Sequence, residues 1–341
     1  MESSTPNREY LVAKAATHLG QILEHAIGRL PGEDVLVIFD EQVELTRIMA
    51  EAYRQAIPDG IFMNFDTTDG PAVREAIDRL KAKDLVVLLQ STNFRLNDFR
   101  IRIHLFEHKL KTVEHIHLMR MLPDQYERYI DTLTYDPVYY RTLGPKLQER
   151  LDRATEVEVM CGQKKLVFSG GMEPSKLNIG DYTGMNNIGG TYPIGEVFSE
   201  AKDLTMVNGG AMVFGFAGND HSVQIHEPFT IQIVNGMLQR PTEGPEVFKA
   251  IYDLVASEED PWIREFGFGL NPAIDRTHLV SDITAYERMT GLHLSFGAKH
   301  GVYLKEGFKR KQTRYHVDIF IDTSAILLDG EAVFKDGSYR I

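Results

Sequence analysis

Short apolar runs alternate with helical segments over the first 150 residues, and this alternation limits the fold more than any other feature. Residues 34–40 and 84–90 contain continuous apolar runs, which are typical of strands buried on both faces. Apolar residues recur at helical spacing over 8–30, 41–56 and 71–80. Strands and helices that alternate with short loops predict a parallel sheet with right-handed crossovers. We therefore expect an α/β domain with a flavodoxin-like parallel sheet.

The second half of the chain follows a different pattern. From residue 157 short strands are separated by glycine-containing turns, and only 245–257 and 281–287 are predicted as helices. This pattern favours an α+β domain with a mixed or antiparallel sheet. Because a chain of 341 residues is longer than one typical small domain, we expect two domains. We assign residues 1–155 to a three-layer α/β domain and residues 156–341 to an α+β catalytic domain.

Composition and charge exclude several classes of function. The formal net charge of −12 provides no basic surface for nucleic acid, and residues 39–42 lack the glycines of a dinucleotide-binding loop. A single cysteine, Cys161, cannot form an intrachain disulfide and fits a reducing compartment. No apolar stretch reaches the ~20 residues that cross a bilayer, and the N-terminus lacks a signal-peptide pattern. We expect a cytoplasmic protein that binds neither nucleic acid nor membrane.

A histidine and an aspartate lie two residues apart in an apolar segment near the C-terminus, residues 315–322. Side chains at i and i+2 of a strand leave the same face, so His316 and Asp318 can converge on one point. An imidazole beside a carboxylate suits zinc, manganese, cobalt or ferrous iron. The pattern predicts part of a metal site, although two polar residues on the solvated face of an edge strand have the same spacing.

Three further segments place an acid or a histidine among apolar residues and glycines. Glu196 follows a glycine-rich turn, Glu265 leads into a glycine-spaced aromatic stretch, and His293 lies in an otherwise apolar strand. A carboxylate beside a buried strand is costly unless it is paired or bound to a metal. A metal would satisfy these groups together with His316 and Asp318.

In this order the segments resemble the metal-binding signature of the aminopeptidase T family of metallopeptidases, also called the thermophilic leucyl aminopeptidases. The likeness rests on residues 195–198, 265–271, His293 and 316–318. The resemblance implies a homodimer and two metal ions, zinc, cobalt or manganese. The ligands that it implies are Glu196, Glu265, His293, His316 and Asp318.

The chain also resembles the 2,5-dihydroxypyridine 5,6-dioxygenases, which hold a single ferrous iron on the same two-domain fold. This likeness is strongest over residues 120–123 and 309–333. In the dioxygenases apolar residues replace the first glutamate and the strand histidine, and a histidine stands at the position of Glu265. At these positions the chain sides with the peptidases.

Three functions follow as hypotheses. The first is a metal-dependent hydrolase of peptide or amide bonds, in which two ions activate water and Glu196 is a ligand or the general base. The second is a mononuclear non-haem iron ring-cleaving dioxygenase, with His293, His316 and Asp318 as ligands. The third is a catalytically inactive peptide-binding member of the fold.

The remaining candidates concern catalysis and the substrate. His300 stands near the place where the peptidases carry a tyrosine, so we assign it a catalytic role. Lys309, Lys311 and Arg314 precede His316 and are candidates to bind a carboxylate of a peptide or small-molecule substrate, although a solvated basic loop is the simpler interpretation. His221 is a further candidate for substrate contact.

Overall fold

A computed structural model of the protein describes residues 7–95, 101–298, 303 and 315–341. The chain forms two compact units, and each unit is built from three separate segments of the chain. Unit 1 consists of Met1–Tyr140, Gly180–Ile194 and Thr277–Ala285, and unit 2 consists of Arg141–Ile179, Gly195–Arg276 and Tyr286–Ile341. The single boundary predicted at residue 155 lies within the first segment of unit 2. No helix of the described ranges is long and apolar enough to cross a membrane.

Eight α-helices are described, together with short 3-10 and π-helical turns. The helices are α1 (Arg8–Gln21), α2 (Glu44–Ala56), α3 (Gly70–Asp78), α4 (Ile101–Glu107), α5 (Tyr126–Asp131), α6 (Pro137–Arg153), α7 (Glu246–Glu258) and α8 (Ile283–Tyr286). The first nine strands in the described residues are β1 (Val35–Phe39), β2 (Ile61–Asn64), β3 (Leu85–Leu89), β4 (Lys111–His115), β5 (Glu156–Cys161), β6 (Lys164–Ser169), β7 (Lys176–Asn178), β8 (Gly189–Tyr192) and β9 (Glu196–Ser199). They are followed by β10 (Val207–Ala217), β11 (Val223–Val234), β12 (Met237–Leu238), β13 (Ile263–Gly269), β14 (Gly291–Gly297), β15 (His316–Ile321), β16 (Ala325–Leu328), β17 (Glu331–Lys335) and β18 (Ser338–Tyr339).

Unit 1 is built on a parallel sheet with the strand order β2-β1-β3-β4-β8. Every residue of β1 and β3 is buried, as their apolar runs predict, and the mainly polar β4 is buried as well. The core on one face includes Val73 of α3 and Leu105 of α4. Gly189 begins the fifth strand with φ +110°, and a Cβ there would lie 1.8 Å from the carbonyl oxygen of Thr112. Only glycine therefore permits β8 to pair with β4 at this point.

Unit 2 is built on a large antiparallel sheet. Its main strand order is β18-β17-β16-β5-β6-β10-β15-β14-β13-β9-β7, and β11 and β12 extend from β10. Cys161 is fully buried at the end of β5, and burial raises the pKa of its thiol to about 11. β11 runs continuously over 223–234, and its register against β10 shifts between the pairs Val213–Phe229 and Gly215–Ile225.

The predicted fold class is confirmed: a parallel α/β sheet in one unit and an antiparallel sheet with helices in the other. One strand of the parallel sheet, β8, comes from the second half of the chain, which the sequence pattern does not predict. β8 belongs to unit 1, although the sequence analysis assigns residues 156–341 to the second domain. Three residues separate β8 from β9, and the two strands belong to different sheets.

His115, at the end of β4, is a fully buried histidine between two tyrosines. Its Nε2 lies 2.9 Å from the hydroxyl of Tyr53, and its Nδ1 lies 2.9 Å from the hydroxyl of Tyr129. Burial lowers the pKa of His115 from 6.5 to about 3. The imidazole is therefore neutral in the folded protein over a pH range in which the unfolded chain binds a proton.

We expect unit 1 to lose stability as the pH falls from 6.5 towards 3. The unfolded state binds the proton of His115 in this window and the folded state does not, so the contribution has a slope of up to about 1.4 kcal/mol per pH unit. Urea unfolding of wild type and His115→Gln between these pH values measures the slope. The variant should have a flatter profile, whereas His25→Gln, at a histidine whose side chain is 42% exposed, should follow the wild type. Parallel profiles for all three proteins would contradict the assignment.

Candidate metal centre

Four adjacent strands of unit 2 bring the five predicted ligands to one face of the sheet. His293 of β14 lies opposite Gly267 of β13, and Ser295 lies opposite Asp318 of β15. Residues that lie directly opposite on paired strands share a face, and residues two apart along a strand share it too. Glu196 joins the same face from β9, where it lies opposite the last residue of β13. The register thus gathers Glu196, Glu265, His293, His316 and Asp318.

The distances show a continuous cluster centred on Glu265. Nε2 of His293 lies 3.3 Å from Oε1 of Glu196 and 3.2 Å from Oε1 of Glu265. Nε2 of His316 lies 3.8 Å from Oε2 of Glu265 and 3.2 Å from Oδ1 of Asp318. Four of the five residues are buried, and the side chain of His316 is 33% exposed. Glu265 therefore links the two imidazoles, and His316 lies at the accessible side of the cluster.

Opposite charges dominate the electrostatics of this cluster. Burial acts to lower the pKa of His293, but Glu196 and Glu265 outweigh it and raise the pKa well above its usual value. Burial likewise acts to lower the pKa of His316, but Asp318 and Glu265 raise it to about 10. Burial acts to raise the pKa of Glu196, yet the charge of Arg288 and the contact with His293 lower it. The three acids of these contacts thus form a site that attracts positive charge.

A buried arginine, Arg288, and a fourth acid, Glu287, also belong to this cluster, and the sequence patterns do not predict them. Nη1 of Arg288 lies 2.6 Å from Oε2 of Glu196 and 2.9 Å from Oε1 of Glu287. Burial raises the pKa of Glu287 to about 8, and repulsion from Glu196 and Asp318 adds to the rise against the opposing effect of Arg288. Glu287 and Arg288 follow the short helix α8 in a turn, so no hydrophobic periodicity marks them in the sequence.

A glycine makes room for the buried histidine. A Cβ on Gly267 would lie 2.1 Å from Cε1 and 2.3 Å from Nε2 of His293, far inside any real contact. The glycine spacing of β13 has a local explanation, since Phe266 and Phe268 occupy the opposite face and are fully buried. The ring of His293 lies over the bare backbone of Gly267, which allows its Nε2 to reach both glutamates.

Tyr303 also lies close to the cluster. Its hydroxyl donates to the carbonyl oxygen of Pro174 at 3.0 Å, and burial, together with the nearby charge of Glu265, raises its pKa to about 12. Tyr303 is not among the residues predicted from the sequence, where His300, three residues earlier, is the candidate for a catalytic role. An aromatic residue with a polar hydroxyl just after the apolar β14 was the available signal.

The donor set fits a divalent transition-metal ion. Imidazole and carboxylate ligands suit zinc, manganese, cobalt and iron. Glu196, Glu265 and His293 each offer a ligand atom, and these atoms lie within 4.8 Å of one another. Nδ1 of His293 is buried and makes no hydrogen bond within the described part of the chain. A buried polar atom is normally paired, so this atom favours an additional ligand beside His293.

The other predicted site residues lie elsewhere. His221 is exposed in the turn between β10 and β11, where it has φ +61° and its N–H donates to the carbonyl of Gly218. Its role in substrate binding stays a prediction. The remaining four lie outside the described residues: His300, Lys309, Lys311 and Arg314.

Fold and site together define a two-unit α/β protein with a buried cluster of acids and imidazoles. No protein-family model and no curated protein matches the sequence. The chain is similar in structure to 2,5-dihydroxypyridine dioxygenase from Pseudomonas putida KT2440, with a TM-score of 0.65, 16% identity and 98% of each chain covered. It is also similar to AmpT, the aminopeptidase T of Thermus thermophilus, with a TM-score of 0.58, 13% identity, and 98% of this chain and 100% of that chain covered. Both resemblances drawn from the sequence are confirmed at the level of the fold.

Proposed function

We propose that the protein is a metal-dependent hydrolase of peptide or amide bonds. The observation that carries the proposal is the convergence of two imidazoles and three carboxylates on one face of β9, β13, β14 and β15. Structures of the same fold include an aminopeptidase, which is consistent with this chemistry. Divalent ions held there would lower the pKa of a bound water and polarise the carbonyl of the scissile bond.

We assign different roles to the residues of the cluster. His293, His316, Glu265 and Asp318 would hold the metal. Glu196 is fixed through Oε2 by Arg288, so its Oε1 is the atom that faces the imidazole of His293. Because Arg288 keeps Glu196 ionised, Oε1 is able to accept a proton from a water at the site. We therefore assign Glu196 the role of general base.

The pairing of Glu196 with Arg288 also favours a second candidate function. A carboxylate that uses one oxygen to bind a guanidinium has only the other available for a metal. The remaining groups include His293, His316 and Asp318, and two imidazoles with one carboxylate are typical of non-haem iron oxygenases. A ring-cleaving dioxygenase of the 2,5-dihydroxypyridine type, with one ferrous iron, is therefore the alternative.

Metal content and activity of the purified protein test the two candidates. The protein is prepared without chelator, analysed for metals, and then assayed for peptide cleavage and for oxygen uptake with hydroxylated pyridines. About two zinc, cobalt or manganese ions per chain with peptide cleavage support the hydrolase. About one iron per chain with oxygen uptake supports the dioxygenase. Saturable peptide binding without turnover in the presence of any of these metals would support the third hypothesis, a catalytically inactive peptide-binding member of the fold.

A single substitution separates the roles of Glu196. We expect Glu196→Gln to lower the rate of peptide cleavage by about 100-fold or more, because the amide cannot accept the proton of water. The matched control is Glu246→Gln, at a glutamate of α7 whose side chain is 88% exposed, and it should retain the wild-type rate. Both variants are compared by circular dichroism to establish that they fold. Cleavage by Glu196→Gln at the wild-type rate would rule out this mechanism.

A further inference from the structure

A cavity in unit 1, distant in sequence from the predicted metal ligands, has a lining that suits an anion. Its volume is about 360 Å³, which is within the usual range of small-ligand sites. The seven lining residues include two arginines and a histidine and no acid. They are Ser91, Thr92, Asn93, Arg95, His117, Met119 and Arg120.

The cavity lies at the carboxyl ends of two neighbouring parallel strands. Residues 91–95 follow β3, and residues 117–120 follow β4. Open α/β sheets bind their ligands outside the carboxyl ends of the strands, where successive loops meet. The position of the cavity therefore agrees with the place where this fold is able to bind a ligand.

Backbone hydrogen bonds hold the two loops in a fixed arrangement. The N–H of Leu118 donates to the carbonyl of Gln90 at 3.0 Å, and the N–H of Met119 donates to that of Ser91 at 3.3 Å. The buried carboxylate of Asp40 accepts the N–H of Ser91 at 2.7 Å. A preorganised loop pair loses little entropy when a ligand binds.

Residues 117–120 carry two polar side chains, those of His117 and Arg120, and both lie close to Asp282. Nη1 of Arg120 donates to Oδ1 of the buried Asp282 at 2.8 Å and lies 3.1 Å from Nδ1 of His117. A guanidinium has no acceptor, so Nδ1 of a neutral His117 is the acceptor, and its proton is on Nε2. His117 adopts φ +57°, a left-handed conformation that is costly for a residue with a side chain and that clusters at functional sites.

We propose that this cavity binds a small oxyanion, either a carboxylate or a phosphate group of a soluble ligand. Asp282 offsets one of the two arginine charges, and Arg95 supplies the remaining positive charge. Arginine, the Nε2–H of histidine, and hydroxyl and amide groups together match the oxygens of either group. Because all of these residues belong to unit 1, the proposal does not depend on the hydrolase function of unit 2.

Isothermal titration calorimetry tests the proposal. The full-length protein is titrated with phosphate and, separately, with succinate at a constant chloride concentration. We expect saturable binding of at least one anion with a dissociation constant below about 1 mM. Arg95→Gln should weaken that binding by about tenfold or more. The matched control Arg79→Gln, at a 75% exposed arginine side chain of the same unit, should leave it unchanged. Preference for phosphate or for succinate identifies which oxyanion the site is built for.

A second variant keeps the proposal testable if Arg95→Gln does not fold. Asn93→Asp adds a carboxylate at an exposed lining residue, so it should abolish anion binding without removing a native ion pair. The melting temperatures of all variants are measured alongside. The proposal is overturned if neither anion binds saturably with a dissociation constant below about 1 mM, or if both folded variants bind as tightly as the wild type.

Discussion

Replacement of Arg288 by methionine is expected to lower the free energy of unfolding of unit 2 by about 3–5 kcal/mol, measured by urea unfolding of metal-free protein. Arg288 is 7% exposed and contacts two acids, the buried Glu196 and the partly exposed Glu287. Its loss would remove the cation that pairs with Glu287 and with Oε2 of Glu196, close to Glu265 and Asp318. Methionine retains the apolar volume of the side chain, so the change reports mainly the missing charge.

A surface pair provides the matched control for this variant. Arg240 binds Asp253 through two hydrogen bonds of 2.8 and 2.9 Å, and its side chain is 59% exposed. Exposed ion pairs contribute little, so Arg240→Met should cost less than about 1 kcal/mol. A variant that combines Arg288→Met with Glu196→Gln and Glu287→Gln should recover part of the stability. Equal losses for Arg288→Met and Arg240→Met would contradict the importance that we assign to the buried charge.

Gly267→Ala is expected to displace the ring of His293 and to cost about 1–3 kcal/mol of stability, because the added methyl has no space beside the imidazole. The same displacement should lower the metal content of the purified protein, since His293 would no longer face both Glu196 and Glu265. Thermal unfolding and elemental analysis measure the two effects separately. The stability effect is expected whether the site holds one ion, two ions or none.

Two comparisons isolate the clash in the Gly267→Ala variant. Gly210→Ala, in β10 of the same sheet, would place its Cβ at an ordinary 3.4 Å from its nearest neighbour and should be nearly neutral. In a His293→Ala background the clash disappears, so Gly267→Ala should then cost much less. An unchanged cost in that background would mean that the imidazole is not the obstacle.

The local sequence pattern predicts which candidate ligands share a face when they lie in a regular strand. His316 and Asp318 share a face because they are two residues apart in β15, and that relation needs no knowledge of the rest of the fold. The buried runs of β1 and β3 likewise predict the parallel sheet without long-range information. In these strands successive side chains point to opposite faces of the sheet, so the position of a residue in the strand determines the direction of its side chain.

Other features depend on contacts that the local sequence does not reveal. The buried Arg288 pairs with Glu196, which lies about 90 positions earlier in the chain. β8 joins the parallel sheet because Gly189 permits a close approach to the backbone of Thr112. Both outcomes follow from tertiary neighbours, so neither hydrophobic periodicity nor residue spacing predicts them.

The strand order of unit 2 has a consequence for synthesis of the protein. β15 is hydrogen-bonded to β10 on one side and to β14 on the other, and it follows both of them in the chain. A nascent chain therefore cannot complete this sheet until β15 has left the ribosome. Such late, long-range pairing is slow and leaves strand edges open to aggregation. A chain that terminates before His316 would lack two candidate ligands and also the strand that joins the halves of the sheet.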